Sequence, residues 1–538
     1  MTPAALMRIR VHHFLALRAF GHLLGTCAIG SPGPVPPDPA IPMIPRVALF
    51  LALLAGLAVR PTAAAQPRLN VLFILADDYR PELGGYGSAA LTPHLDRLSR
   101  RAVSFDRAYC QQAVCNPSRS SLLTGLRPDT LGLWNNGTHF RELKPDVVTL
   151  PQHFRIHGYV TRCVGKIFHN WHTKEKGDPR AWSAPEFLHY ANHGDDAPQV
   201  AGALPPNHAT GGPRPYGNVP MCESRDVPDE AYYDGRVAAE AVRVLAEVKD
   251  RPFFLAVGFW KPHAPFNAPK RYWDLYDPAK LPALDPRWPE GAPEIAGHDS
   301  REILGLAGAR VTPTPAQARE MRHGYFANVS FLDAQVGKVL DALERSGVAD
   351  RTLVIFAGDH GFHLGEHGLW AKTSNFELDA RVPLMIALPD RRHGGRRTPA
   401  FAELVDLYPT LNALCGLPAV PGLEGTSLVP VLDDPSARVK PAAFTQHPRP
   451  AYFDREPAKV PLTMGYSVRT TDGRYTEWRD WTTGATVARE FYAEADQPAE
   501  TRNLADDPRH AAARLSAERL LRAQFPSRAA GSRVGPAP

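Results

Sequence analysis

The stretch NVLFILADD, residues 70–78, decides the fold class. Residues 70–76 form a nearly continuous apolar run, the pattern of a parallel strand buried on both faces, and two aspartates, Asp77 and Asp78, follow at once. Similar runs recur at 159–164, 253–258, 353–357 and 384–388, and each reads as a strand. Helical patterns lie between them. A short one opens at Thr92-Pro93 and ends near Arg100, longer amphipathic ones cover 232–248 and 320–344, and another covers 403–414. Strands alternating with helices predict a large α/β sheet with helices on both faces. Near residue 440 the pattern changes. Residues 466–481 (YSVRTTDGRYTEWRDW) alternate around Asp472-Gly473, a hairpin signature, while 490–493 offers another strand and 511–524 a last helix. The expected organisation is a main domain over 66–440, a smaller α+β domain over 441–525 and a disordered tail over 526–538.

Of 538 residues, 44% are hydrophobic and 22% charged, which excludes a wholly disordered chain, a coiled coil and a polytopic membrane protein. The 54 prolines are about twice average usage and predict long ordered loops. A net charge of +5 without a basic block argues against a nucleic-acid partner. Arg46 precedes an apolar run at 47–59, and Ala63-Ala64-Ala65 supplies small residues before Gln66. Residues 43–65 therefore read as a signal peptide, predicting an exported protein, periplasmic or secreted, with no stable membrane partner. Residues 1–42 read as a mis-called start or a disordered extension. The six cysteines show no CxxC spacing, so a structural zinc site is not expected. Cys110 and Cys163 are either a disulfide or two buried thiols.

The chemistry-bearing residues fall at the strand ends. Asp77 and Asp78 follow the first strand, Lys166 and His169 the second, Lys261 and His263 the third, Asp359 and His360 the fourth. Open α/β sheets bind ligands beyond the carboxyl ends of their strands. One pair of aspartates alone would be a solvated turn; four strand ends together define a site. Asp77, Asp78 and Asp359 make an oxygen-rich cluster suited to calcium or magnesium, with His360 as a further ligand or a support behind it. In CNPSRSSLLTG, residues 115–125, Pro117 and Gly125 frame a short helix with Cys115 at its N-terminus, where anions are favoured. Alone, Cys115 would read as a buried structural cysteine.

Cys115-x-Pro117-Ser118-Arg119 followed by Thr124-Gly125 resembles the signature of the type I, formylglycine-dependent sulfatases. Leu75–Asp78, Gly165–His169, Lys261-Pro262-His263, Gly358–Gly361 and Glu490-Phe491-Tyr492 resemble further family blocks, so the likeness spans nearly all of the mature chain. Residues 164–169, 364–372 (LGEHGLWAK) and 464–478, with His360, are similar to the iduronate-2-sulfatase branch. The resemblance implies an alkaline-phosphatase-like mixed sheet with a smaller C-terminal α+β domain. It also implies that a formylglycine-generating enzyme oxidises Cys115 to formylglycine, whose hydrate is the nucleophile, and that one calcium ion is held by Asp77, Asp78, Cys115, Asp359 and His360. In this scheme Asp359 accepts the attacking hydroxyl's proton and Arg119 fixes the hydrate. Lys166 and Lys372 screen sulfate charge. His263, with Lys372, protonates the departing sugar oxygen, and His169 removes the remaining hydroxyl proton. Arg449 is expected to meet a uronate carboxylate. The implied substrate is the 2-O-sulfate of iduronate in heparan- or dermatan-type fragments.

Alternatives are a sulfatase for another polysaccharide, a phosphate or phosphonate monoester hydrolase of the same superfamily, and an unconverted sulfated-glycan binding protein. Against the phosphatase, the sequence shows no second metal cluster of the two-zinc type. The run GFHLGEH at 361–367 lacks HExxH spacing and reads as a scaffold or substrate-edge loop, with His367 structural. Trp260 and Trp370 read equally as packing residues or sugar platforms. Asn136-Gly137-Thr138 and Asn328-Val329-Ser330 match glycosylation sequons. Stretches 195–228 and 278–316 are expected to shape the pocket rim.

Overall fold

The computed structural model describes residues 33–34, 68–169, 177–187, 222–298, 300–304 and 313–526. The signal at 43–65, nearly all of the extension 1–42, the tail from 527 and parts of both rim stretches (195–221, 299 and 305–312) lie outside the described residues. The fold is that of the unit Pro67–Pro538.

Its principal sheet has eight strands: β1 (Asn70–Asp77), β2 (Val103–Tyr109), β3 (Val160–Gly165), β4 (Phe253–Pro262), β5 (Thr352–Gly358), β6 (Arg381–Val382), β7 (Leu384–Ala387) and β8 (Arg397–Glu403). The order is β6-β2-β7-β5-β1-β4-β3, with β8 also paired to β2. Strands β3, β4, β1 and β5 are mutually parallel, whereas β7 runs antiparallel to both β5 and β2, so the sheet is mixed. β1 is buried throughout. Leu72, Ile74 and Ala76 enter one core; Val71, Phe73 and Leu75 enter the other. A strand with two buried faces has no position for a polar side chain, which is why this run does not alternate.

Among the described residues, six helices of seven or more residues cover the faces: α1 (Pro93–Ser99), α2 (Cys115–Thr124), α3 (Leu150–Ile156), α4 (Tyr233–Val248), α5 (Pro315–Arg345) and α6 (Leu407–Leu414). Val237 and Val244 of α4 join Val329 and Val336 of α5 over one face. Leu122 of α2, Phe154 of α3 and Leu411 of α6 close the other. Helix α5 starts five residues before the expected 320, because Thr314 and Gln317 form a reciprocal cap and Pro315 takes the first helical position. Asn328 lies fully buried inside α5, so the sequon at 328–330 is no acceptor in the folded chain. Strands β2 and β8 escaped the sequence reading. Asp106 and Arg107 interrupt the first, and Pro399 coincides with a register shift in the second.

A second, antiparallel sheet holds β9 (Ala443–Arg449), β10 (Thr463–Arg469), β11 (Gly473–Asp480) and β12 (Thr486–Ala493) in sequential order, with α7 (Ala511–Gln524) packed on β10 and β11. The hairpin turns where expected. Gly473 has φ +150°, and a Cβ there would meet the Tyr492 carbonyl at 2.1 Å. The sheets are stitched by buried charge. Glu377 accepts from Arg474, from Arg469 Nε at 3.3 Å and from Tyr109 of β2 at 2.9 Å, while Arg474 also reaches Glu500 at 2.8 Å. Burial pushes the Glu377 carboxyl up, but Arg474 and Arg469 outweigh it and hold it at about 2. Arg474→Ala removes the cation shared by two buried carboxylates and should lower the unfolding free energy by about 3–5 kcal/mol. Arg489→Ala, which breaks the exposed pair with Asp506, should cost under ~1 kcal/mol. Urea midpoints of the two variants measure the contrast.

Candidate active site

Strand ends and one helix start build a single buried centre. β1 delivers Asp77 and Asp78; the latter has φ +60°, and Tyr325 donates to its carbonyl at 2.8 Å. Lys166 follows β3, where its backbone passes so close to Gly258 of β4 that a Cβ there would lie 1.9 Å from the Lys166 carbonyl. His263 follows β4, and Asp359 and His360 follow β5. Cys115 opens α2, whose C-terminus Gly125 closes with φ +70°. Lys372 follows the short strand Trp370–Ala371 and lies between two left-handed residues, Ala371 (φ +76°) and Thr373 (φ +92°). Such backbone is uncommon outside glycine and concentrates where geometry serves a function.

Arg119, fully buried, is the hub. Its Nε donates to Asp359 Oδ2 at 2.7 Å and Nη2 to Asp77 Oδ1 at 3.0 Å, while Nη1 reaches the carbonyls of Lys166 (2.5 Å) and Ile167 (3.1 Å). Lys166 donates to Asp77 and lies 4.8 Å above the Trp260 ring. Lys372 Nζ donates to both oxygens of Asp78 at 2.9 Å. Asp359 Oδ1 accepts the backbone N–H groups of Asp78 (3.0 Å) and His360 (2.9 Å). Cys115 Sγ stands 3.3 Å from His360 Nε2, which is 3.4 Å from Asp78 Oδ1. His263 Nε2 is 3.8 Å from Asp78 Oδ2.

Cys115, Asp77, Asp359 and His360 bring their ligand atoms within 4.8 Å of one another, as do Asp77, Asp78, Cys115 and His263. The three carboxylates in these sets, Asp77, Asp78 and Asp359, suit a hard divalent cation. The electrostatics agree. Burial raises the Asp78 carboxyl to about 7 despite Lys372 and His360. Burial also raises Asp77, but Lys166 and Arg119 hold it well below the usual carboxylate range. The two neighbours therefore differ, and Asp78 is the one short of positive charge. Burial, with Asp77, pushes the Cys115 thiol well above its ordinary value, so an unmodified Cys115 is a protonated thiol at neutral pH.

His169 is buried in the loop after β3. Lys261 does not join the centre; its ammonium holds the following turn through the Pro265 carbonyl at 2.6 Å and through Asn267. Arg449, expected at a uronate carboxylate, gives its guanidinium to the carbonyls of Ile295 (2.8 Å), Ala296 (2.7 Å) and Thr373 (2.9 Å) and stacks on Trp478. Trp370 is buried packing. Cys110 and Cys163 are both buried free thiols. Two residues of the centre went unread. Glu302 joins His263 at 2.9 Å and Lys372 at 2.5 Å, and Tyr452 donates to Glu302 at 2.8 Å. Nothing in the sequence marks Glu302, whose four-residue helical turn, Arg301–Leu304, is too short to show a period.

A mixed sheet that gathers carboxylates, cations and a helix-start cysteine at its strand ends defines a hydrolase of anionic esters on the alkaline-phosphatase plan. The comparisons specify it. Residues 69–417 match the sulfatase family profile and residues 365–524 the C-terminal profile of N-sulphoglucosamine sulphohydrolase. The chain belongs to the sulfatase family and is a sulfuric ester hydrolase. It is 35% identical to the iduronate 2-sulfatase of Mus musculus, across 88% of this chain and 98% of that protein. It is also 35% identical to the Homo sapiens iduronate 2-sulfatase, across 76% and 85%. Among solved structures it resembles the phosphonate monoester hydrolase of Agrobacterium radiobacter, with TM-score 0.69 and 26% identity over 85% of this chain and 96% of that one. Among the described residues no helix is long and apolar enough to cross a membrane.

The GFHLGEH loop beside the centre is scaffold. His363 Nδ1 lies 2.6 Å from Asp379, and His367 Nε2 lies 2.7 Å from the Ala499 carbonyl. Burial, with His363 adjacent, lowers His367 from 6.5 to about 4. The unfolded chain then binds a proton that the folded chain refuses. The resulting stability is complete above pH 6.5 and is lost as pH falls toward 4. His367→Asn should remove about 3 kcal/mol of the acid-side slope. Urea titrations of both proteins between pH 7 and 4 read it directly.

Proposed function

We propose that this sulfatase is exported, is matured by a formylglycine-generating enzyme acting on Cys115, holds one calcium ion, and removes 2-O-sulfate from iduronate in heparan- or dermatan-type fragments. The observation that carries the reading is Cys115 at the start of α2, facing Asp77, Asp359 and His360 with Arg119 and two lysines behind. A protonated, buried thiol is a poor nucleophile, which favours conversion of Cys115 over direct attack by sulfur. Formylglycine would supply a hydrated aldehyde as nucleophile, and calcium would polarise the ester oxygens and the nucleophile alike.

The chain's own residues do the rest. Asp77, Asp78, Asp359 and His360 would hold the cation together with residue 115. Arg119 fixes the spacing of Asp77 and Asp359 and keeps residue 115 oriented. Lys166 and Lys372 offset charge on the sulfate oxygens. His263 and Lys372 stand where a proton is needed by the departing alcohol, and His169 is assigned the final proton removal. The 2-O-uronate specificity is supported by the two iduronate 2-sulfatases the chain resembles, and export by the apolar run at 47–59. We assign residues 66–440 to the catalytic domain and 441–525 to a smaller one. Arg449 is better assigned to framing the pocket than to binding a uronate, because its donors meet backbone carbonyls. The likeness to a phosphonate monoester hydrolase keeps one second reading, hydrolysis of phosphate or phosphonate esters.

The deciding experiment offers 2-O-, 6-O- and N-sulfated disaccharides and a phosphate monoester to protein co-expressed with a formylglycine-generating enzyme. Mass spectrometry at position 115 verifies conversion, and Cys115→Ala is the control. Sulfate release confined to 2-O-sulfated uronates is the expected result. Release from another sugar removes the specificity, and phosphate release alone removes the sulfatase reading. Chelation of the wild type, or Asp78→Ala, should reduce turnover at least about a hundredfold. Full activity after both would sink the metal assignment.

A further inference from the structure

Glu302 is the charged residue of the centre that neither the cysteine motif nor the strand ends explain. It lies in a short helical turn, Arg301–Leu304. Ser300 Oγ anchors that turn by accepting the Trp370 backbone N–H at 2.9 Å. The Glu302 side chain is 11% exposed and held from three sides. Oε1 accepts from His263 Nε2 at 2.9 Å and Lys372 Nζ at 2.5 Å; Oε2 accepts from Tyr452 at 2.8 Å. One carboxylate oxygen thus joins the two groups that stand on the leaving-group side.

Four carboxylates, Asp77, Asp78, Asp359 and Glu302, meet three fixed cations, Arg119, Lys166 and Lys372. His263 also meets Glu302, so the absolute balance follows its proton, but loss of the Glu302 charge leaves the pocket one unit more positive whatever cation the acidic residues bind. In a buried site that charge acts over several ångströms with little screening. Sulfate and phosphate monoesters share a tetrahedral outline, so shape separates them poorly. Charge separates them well, since a sulfate ester carries one negative charge and a phosphate ester nearly two at neutral pH.

We infer that Glu302 is a specificity-determining residue whose carboxylate, shared between His263 and Lys372, biases the pocket toward monoanionic over dianionic esters. The inference rests on the sulfatase reading proposed above and names what enforces it. It concerns discrimination between two esters of one shape, so a merely structural role for Glu302 would slow both and leave their ratio unchanged.

The test compares kcat/KM for phenyl sulfate and phenyl phosphate at pH 8 in the wild type, Glu302→Gln and Glu302→Asp. Glu302→Gln removes the charge at constant size and should move the ratio toward phosphate by roughly tenfold or more. Glu302→Asp keeps the charge and should keep the wild-type ratio even if both rates fall. An unchanged ratio in Glu302→Gln, or an equal shift in Glu302→Asp, overturns the inference. Calorimetric binding of the same two esters to Cys115→Ala, with and without Glu302→Gln, needs no turnover. If the wild type hydrolyses neither phenyl ester, the binding arm decides Glu302, and the disaccharide panel separately decides the substrate reading. A selective gain for phenyl phosphate upholds the role, and an equal change for both esters ends it.

Discussion

The guanidinium of Arg119 is the interaction on which the centre depends. Two aspartates from different strands, Asp77 and Asp359, lie close together in a dry interior, where like charges repel strongly. Arg119 separates and joins them with one planar fork, and its remaining donor ties down the loop that carries Lys166. A lysine could match the charge but not the three simultaneous directions. The pair geometry is thereby set before any ligand arrives, which is the condition for electrostatic preorganisation.

The fold exists to hold that fork still. α2 carries Arg119, and each of its residues is buried. The strands that end at the site feed alternate side chains into two separate cores, so each strand end is clamped from above and below. Interiors of this density do not deform gradually, and side chains rooted in them keep their spacing. Glu302 comes from a four-residue helical turn, Arg449 from the last position of β9 and Tyr452 from the chain shortly after it. The spacing of Asp77, Arg119 and Asp359 is thus set by strand ends and a helix.

Much of this was legible in the sequence. The run at 71–76 is apolar at every position because both faces are buried, and that one fact separates a central parallel strand from an edge. Asp77, Lys166 and Asp359 were placed because their strand ends were located to within a residue, whereas the strand before His263 runs to Pro262, four residues beyond the expected 258. The cysteine segment was read from its Pro and Gly and from family resemblance. Strand β2 was missed because Asp106 and Arg107 sit at half-buried positions, which imitates a loop. Glu302 was missed for a different reason. Its partners, His263, Lys372 and Tyr452, are 39, 70 and 150 residues away in sequence, and no local period links them. For Arg449 the structure adds what sequence cannot show, that its guanidinium holds the carbonyls of Ile295, Ala296 and Thr373.

That employment bears on how the chain could be divided. Arg449 belongs to β9, the first strand of the second sheet, yet the carbonyls it gathers lie at Ile295, Ala296 and Thr373, and Thr373 is next to Lys372. The second sheet is therefore a keystone rather than an annex. A fragment cut ahead of β9 would keep the cysteine motif and every proposed cation ligand, yet would lose the clasp on the backbone next to Lys372.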